Sequence, residues 1–312
     1  MKLLFVIDPI ESININTDSS FALMLESQKR KHEISYCEIH DLFIEKAKPF
    51  ACSKQIRVQR SKKYWTRIKE NRVELHHFDC ILMRKDPPVD QNYLYATYVL
   101  ELASQKTCVI NHPASLRSLN EKLSVFNFPE LIPPTLVSSK IEDIFNFQSG
   151  VGGRIVVKPI YGHGGGGVYL LSKQDPNKKS LLQTLTQNET VSIIVQKAIS
   201  EATRGDKRII LFDGNPVGAI MRVPKKGDFR ANLHVGGSCK KVELTKNDKL
   251  ICKKVGDFLK KKGILFAGID VIGNYLIEIN ITSPTCLQEL DKLNKINSAA
   301  ILMDIIEERV KS

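Results

Sequence analysis

The sequence predicts an α/β protein whose two halves are built differently, and three observations carry that prediction. In the first 110 residues, short unbroken apolar runs at 2–7, 34–38, 80–83 and 108–110 alternate with helical segments, the rhythm of an open sheet of buried parallel strands. Beyond residue 150 the apolar runs come as hairpins: 155–159 with 168–171, and 207–212 with 217–223 around Asp213-Gly-Asn-Pro216. Near the C-terminus, 265–284 consists of two apolar-rich runs flanking Gly273-Asn274, with Asp270, Glu278 and Asn280 set among the apolar residues.

Composition narrows the class. A chain of 312 residues, 42% apolar and 26% charged, is that of a soluble globular protein with two or three domains. No run reaches the length of a membrane span, and 3–7 is too short for a signal-peptide core, so neither a membrane nor export is expected and the cytoplasm is the expected location. The seven cysteines are odd in number, scattered, and form no C-x-x-C pair, which predicts reduced thiols and no zinc site. A net charge of +12 points to anionic partners. Its clusters, Lys29-Arg30-Lys31 and Lys260-Lys261-Lys262, fall where amphipathic helices end and cations complement the helix dipole. With no zinc-finger spacing or aromatic RNA-binding motif beside them, nucleic acid is not an expected partner.

Taken in order, 2–7 is a buried strand closed by Asp8-Pro9, a polar loop runs over 11–20, and a helix over 21–31 leads to the strand at 34–38. After a polar, basic excursion come the strand at 80–83, a helix over 94–104 and the strand at 108–110. Ligands of open α/β sheets bind beyond the carboxyl ends of the strands, and Arg84-Lys85-Asp86-Pro-Pro88 lies at one such end. Arg84 and Lys85 there suit a carboxylate, or they form an ordinary surface pair before a turn; this stretch alone leaves both open. A short helix start spans 118–125 with Lys122 inside it, and 129–137 is an extended connector. Further helices are expected over 180–186, 249–262 and 299–310, with a strand at 191–195.

The C-terminal hairpin sets a register question, because a one-residue slip exchanges the faces of a strand. A two-residue turn would pair Ile272 with Tyr275 and split Asp270 from Glu278. A three-residue loop, Gly273-Asn274-Tyr275, pairs Ile272 with Leu276 and Asp270 with Glu278. One face then reads Ile269, Val271, Ile277, Ile279 and Ile281; the other carries Asp270, Ile272, Leu276, Glu278 and Asn280. We expect the second register. Two carboxylates and an amide on one face call for a hard cation such as Mg²⁺ holding substrate phosphates.

Tyr161-Gly-His-Gly-Gly-Gly-Gly167 is the other conspicuous stretch. Gly162, Gly164 and Gly167 match G-x-G-x-x-G, but a strand and not a helix follows, which removes the dinucleotide reading. No Lys-Ser or Lys-Thr ends the run, which removes the P-loop. A hairpin flap remains, whose backbone N–H groups can close over phosphates with Lys158 on the adjoining strand. Residues 224–237 form a long polar loop carrying Arg230 and Asn232, of the kind that is functional or mobile.

A lysine strand, a glycine flap and a distant Asp270 with Glu278-x-Asn280 together resemble the ATP-grasp ligases, and within them the prokaryotic glutathione synthetase family. The likeness extends over nearly the whole chain. It rests on Asp8-Pro-Ile-x-x-Ile-Asn-Ile-x-x-Asp-Ser-Ser-Phe21, Ile81-Leu-Met-Arg-Lys-Asp-Pro-Pro88, Asn120-Glu-Lys-Leu123, Gly205-Asp-Lys-Arg208 and Glu278-Ile-Asn-x-Thr-Ser-Pro-Thr-Cys286. The resemblance implies an ATP-grasp fold behind an N-terminal open α/β domain, divided at 1–120, 121–199 (a small lid domain with the flap) and 200–312 (the catalytic domain). It implies joining of glycine to γ-glutamylcysteine with cleavage of ATP to ADP and phosphate, Mg²⁺ or alternatively Mn²⁺ as the metal, and a homotetramer. It further assigns Asp270, Glu278 and Asn280 to the metal, and Arg208 and Arg222 to the transferring phosphoryl group. ATP would lie against Lys122, Lys158, Lys207, the flap Gly162, Gly164, Gly165, Gly166 and Gly167, and the hinge Gln196, Lys197, Ala198 and Ile199. Asn16, Ser19, Arg84, Arg230 and Ser283 are then candidates for the dipeptide's carboxylates and amine. Three rivals stand beside this reading: an ATP-grasp ligase with another substrate pair, a nucleotide-binding regulator without catalysis, and a nucleic-acid-binding protein, which only the charge of +12 favours.

Overall fold

Three sheets follow one another along the chain in a computed structural model that describes residues 1–162, 164–225 and 237–311. The first contains β1 (Lys2–Val6), β2 (Glu33–Cys37), β3 (Leu42–Glu45), β4 (Lys48–Val58), β5 (Trp65–Glu74), β6 (Cys80–Met83) and β7 (Cys108–Ile110). Its order is β3-β4-β2-β1-β6-β7 with β5 on β4, and the β2-β1-β6-β7 core is parallel. The predicted parallel strands are all present, because a continuous apolar run buried on both faces leaves no other placement: Leu3, Leu4, Phe5 and Val6 are each fully buried. Helices α1 (Ser19–Lys29), α2 (Gln91–Ala103) and α3 (Pro113–Ser118) accompany this sheet. Asp18 and Asp90 cap the first two by accepting from Phe21 N–H (2.6 Å) and Tyr93 N–H (2.8 Å).

The expected polar excursion is instead the long β4–β5 hairpin. β5 is an exposed edge strand reading Trp-Thr-Arg-Ile-Lys-Glu-Asn-Arg-Val-Glu, so its charges hide the strand from an apolar-run criterion while protecting its edge.

The second sheet, β10-β9-β11-β8, joins β8 (Thr135–Ser138), β9 (Ile155–Pro159), β10 (Tyr169–Leu171) and β11 (Ile193–Lys197). It packs α4 (Ile141–Gly150) and α5 (Lys178–Leu185) around Ile144, Ile155, Val157, Leu182 and Val195. The third sheet, β14-β13-β12-β15-β16, contains β12 (Asp206–Phe212), β13 (Asn215–Val223), β14 (Ser238–Lys241), β15 (Phe266–Ile272) and β16 (Tyr275–Asn280). Helices α6 (Lys246–Lys261), α7 (Leu287–Asn294) and α8 (Ser298–Lys311) complete it.

One side chain joins the first sheet to the third. Asn111, directly after β7, is buried, and its Nδ2 donates to the carbonyls of Phe266 and Ile281 (both 2.7 Å). Its Oδ1 accepts from Leu265 N–H and Phe266 N–H (both 2.9 Å). Replacing it with Leu strands two backbone donors and two acceptors, each worth about 1–3 kcal/mol when buried and unsatisfied. We expect Asn111→Leu to lose about 3 kcal/mol or more of stability, seen as a lower urea midpoint. An unchanged midpoint would mean that water replaces all four bonds.

Candidate active site

A cleft of about 560 Å³ opens where the three sheets meet, and it collects residues from each: Asp86 and Pro87, then Lys122, Lys158 and Gln196, then Arg208, Asp270 and Glu278. Strand alternation decides which side chains reach it. On β12, Asp206 and Arg208 line the cleft, while Lys207 between them points to the other face. There the Lys207 ammonium is paired with Asp248, the buried residue that closes the Thr245 capping box of α6. Lys207 was expected beside the nucleotide; the period of two corrects that, and Lys207 anchors a helix.

Arg208 and Arg222 converge on Asp270. Arg208 Nε and Nη2 donate to Asp270 Oδ1 and Oδ2 (2.6 and 3.0 Å), and Arg222 Nη2 lies 2.9 Å from Oδ2. Arg222 also clamps Asp206 through two bonds of 2.6 and 2.7 Å, from its register position opposite Asp206. The neighbouring Gly205 has φ +118°, and a Cβ there would meet the Arg222 carbonyl at 2.1 Å, so only glycine lets the two strands approach. Burial pushes the Asp270 carboxyl up, but the two guanidiniums outweigh it and hold it at about 2. Among the described residues Glu278 has no such partners: burial, then the charge of Asp270, push its carboxyl up to about 6. Burial likewise pulls the Lys158 ammonium below its ordinary value, against the attraction of Glu278.

The hairpin keeps the expected Asp270–Glu278 pair but by another route. Its turn has two residues, Ile272 pairs with Tyr275, Val271 pairs with Leu276, and a bulge between Asp270 and Val271 restores the register. The extra residue is Ile277, which lines the cleft together with Glu278 and Ile272. Leu276 is fully buried in the core beside Val271. The expected faces are therefore corrected at two positions: Ile277 and Leu276 exchange sides. Asn280 Nδ2 bonds to Gly268 O (3.2 Å) and reaches Asp270 Oδ2 (3.4 Å), which leaves its Oδ1 as an acceptor at the cleft.

Gly162, Gly164, Gly165 and Gly166 line the cleft, and Lys122 ties the flap's base by donating to Pro159 O (3.0 Å) and Gly162 O (2.8 Å). Gly167 does not line it; it has φ +70°, and a Cβ there would meet the ring of Pro159 at 3.2 Å. Of the hinge, Gln196, Lys197 and Ile199 line the cleft, while Ala198 does not and bonds through its N–H to Arg154 O (3.1 Å).

The substrate candidates divide. Ser283 lines the cleft and donates to Arg84 O (3.2 Å). Arg84 is buried behind that wall, over the Phe266 ring at 4.8 Å. It bonds to Pro284 O (2.8 Å) and Ser20 Oγ (3.2 Å), and its buried Nη1 has no hydrogen-bond partner among the described residues. Arg84 is therefore no surface charge; Lys85 is the one that pairs outward, with Asp8 (2.9 Å). Asn16 is exposed in the turn before α1, and Ser19 is buried with its Oγ accepting from Leu287 N–H (3.3 Å) at the start of α7. Neither lines the cleft: Ser19 is committed to packing the start of α1 against α7, and Asn16 is exposed. Arg230 lies outside the described residues.

Two residues escaped the sequence reading. Asp206 would have emerged from applying the period of two back from Arg208. Glu121 gives no such signal: its Oε1 accepts from Ile281 N–H (2.7 Å), Thr282 N–H and Thr282 Oγ1 (both 2.9 Å), fixing the chain just past Asn280.

Among the described residues no group of three or more His, Cys, Asp or Glu side chains is placed to hold a metal ion. A cation here would be held by two carboxylates and one amide oxygen, a donor set that suits Mg²⁺ when phosphate oxygens fill the remaining positions. The raised Glu278 carboxyl, lacking a cationic hydrogen-bond partner among the described residues, fits that role.

Comparison with known proteins agrees with this geometry. The model of the prokaryotic glutathione synthetase N-terminal domain matches residues 1–117, and that of the ATP-grasp domain of the same family matches 121–295. The glutathione synthetase of Buchnera aphidicola subsp. Baizongia pistaciae is 42% identical over 315 aligned positions, covering 100% of this chain and 97% of that protein. That of Prochlorococcus marinus subsp. pastoris is 44% identical, covering 98% and 99%. Among solved structures, D-cycloserine synthetase DcsG superposes with a TM-score of 0.68 at 14% identity over 99% of both chains. A RimK domain ATP-grasp protein from Sphaerobacter thermophilus gives 0.63 at 16% identity, covering 97% and 98%. At such identities the two structures establish the fold alone, and it is ATP-grasp.

Proposed function

The chain belongs to the prokaryotic glutathione synthetase family, ATP- and Mg²⁺-dependent ligases that join glycine to γ-glutamylcysteine, and on that premise we propose how its own residues divide the work. The convergence of Lys122, Lys158, Arg208 and Arg222 with Asp270, Glu278 and Asn280 in one cleft under a glycine flap carries the assignment. The dipeptide's carboxylate is a poor electrophile. Transfer of the γ-phosphoryl group from ATP makes it an acyl phosphate, the glycine amine attacks that carbonyl and loses a proton, and phosphate leaves. Lys122 and Lys158 hold the ATP phosphates, and Gln196, Lys197 and Ile199 lie along the base. Arg208 and Arg222, already fixed by Asp206 and Asp270, face the charge that develops on phosphoryl transfer and on the tetrahedral intermediate. Asp270, Glu278 and Asn280 would hold Mg²⁺, which neutralises phosphate charge when bound. The flap keeps water from the acyl phosphate.

The same proposal divides the chain at 120 and 199, a division supported by the three separate sheets. It extends to a cytoplasmic homotetramer acting on small molecules, which sedimentation at working concentration tests for its assembly.

Phosphate release with ATP, Mg²⁺ and γ-glutamylcysteine, with and without glycine, tests the reading. We expect release to need both substrates and to yield glutathione; release with another pair only would keep the mechanism and change the substrate. Arg84, holding Ser20 and Pro284 behind Ser283, belongs to the dipeptide's wall. Arg84→Ala is expected to raise KM for the dipeptide about tenfold while shifting KM for ATP much less, the size of one lost charged hydrogen bond. Equal shifts in both would move the dipeptide elsewhere.

A further inference from the structure

Two cysteines far from the chemistry stand side by side. Cys80 opens β6 and Cys108 opens β7, and they are register partners on parallel strands. In-register residues of neighbouring strands share a face with Cα atoms about 4.8 Å apart, inside the range of about 4.4–6.8 Å that a disulfide spans. Both thiols are free and share a hydrogen bond. Cys80 is fully buried, whereas Cys108 is half-buried on β7, the last strand of its sheet.

The pair is chemically unequal. The shared hydrogen bond lowers the Cys108 thiol and raises that of Cys80, and the Arg309 charge on α8 favours the thiolate of both. Burial opposes the thiolate at both, and leaves Cys80 raised, but at Cys108 the hydrogen bond outweighs it; at Cys239 and Cys252 burial prevails and pushes each thiol up to about 12. Cys108 therefore combines access, thiolate character and an adjacent second thiol, the features of a thiol that exchanges.

We propose that Cys80 and Cys108 form a redox dithiol that closes to a cross-strand disulfide by exchange with a small-molecule disulfide of the glutathione type. The Cys108 thiolate attacks one sulfur of that disulfide, a mixed disulfide forms and one small thiolate leaves. Cys80 then loses its proton to water and attacks the Cys108 sulfur, expelling the second small thiolate. The protein gives up two electrons and two protons, and the small disulfide becomes two thiols. A bridge between directly opposed strand residues has little freedom to relax. Such strained disulfides are easily reduced, so the pair follows the ratio of small thiol to disulfide and does not stay closed. This links the enzyme to the oxidation state of the thiol it makes.

Mass mapping of the full-length enzyme, equilibrated without oxygen in glutathione and glutathione disulfide at varied ratio and quenched in acid, tests it. The expected result is loss of two hydrogens from the intact mass as the disulfide share rises, one cross-linked peptide joining residues 80 and 108, and reversal by added glutathione. Cys80→Ser is expected to stop with one glutathione on Cys108, and Cys108→Ser to give neither product. A wild-type mass unchanged across a hundredfold range of ratio, or a cross-link between other cysteines, overturns the proposal; an unmodified Cys80→Ser overturns the assignment of Cys108 as attacker.

Discussion

Glu278→Gln is expected to keep the fold and lower kcat by about a thousandfold. The amide fills the same volume at the bulge, so the packing of Ile277 and Leu276 on either side is untouched. What goes is the carboxylate opposite Asp270 that no arginine among the described residues neutralises, whereas Asp270 is held by Arg208 and Arg222. Losing a charged ligand from a site that stabilises a transferring phosphoryl group is worth about 4 kcal/mol, or three powers of ten in rate. Steady-state kinetics with saturating Mg²⁺ measure the loss, and Mn²⁺ binding followed by paramagnetic resonance separates a lost metal from a lost fold. Turnover and Mn²⁺ affinity like those of the unaltered enzyme would end the metal assignment.

Arg222→Met should act on stability as much as on rate. Arg222 is only 4% exposed and satisfies Asp206 twice and Asp270 once. Its removal leaves buried carboxylates facing each other, a loss of about 3–5 kcal/mol. Denaturation in urea should show a lower midpoint at unchanged slope, and adding Asp206→Asn should recover part of the loss because one stranded charge disappears with it. Acid provides an independent check. The Asp270 carboxyl sits at about 2 instead of the ordinary 3.8. Its contribution is therefore complete above a pH of about 4 and fades as the pH falls toward 2. The gap between the two proteins should close over the same interval. A gap constant through that range would show that Asp270 draws nothing from Arg222.

How far the sequence alone could go depended on which physical signal a residue carried. The parallel strands and the hairpins were legible because a buried strand needs apolar residues and a turn needs Gly-Asn or its equivalent. Asp270 and Glu278 were legible because carboxylates in an otherwise apolar strand have no other use. The β4–β5 hairpin was not, since charged edge residues carry no burial pattern. Nor was the bulge at Ile277, which depends on how two strands meet and not on either one's composition. Lys207 shows the limit of carrying a whole motif across: three of the four residues in Gly205-Asp-Lys-Arg208 line the cleft, and the alternation of a strand assigns the fourth to the other side.

The four hydrogen bonds of Asn111 bear on how such a chain can be recombined with its relatives. A chimera cut at 120 would separate this amide from the backbone groups of Leu265, Phe266 and Ile281 that it satisfies. The unit that can be exchanged intact therefore runs across the boundary drawn at 120: Asn111 travels with the hairpin it holds, and a grafted N-terminal sheet must bring an amide to the same place.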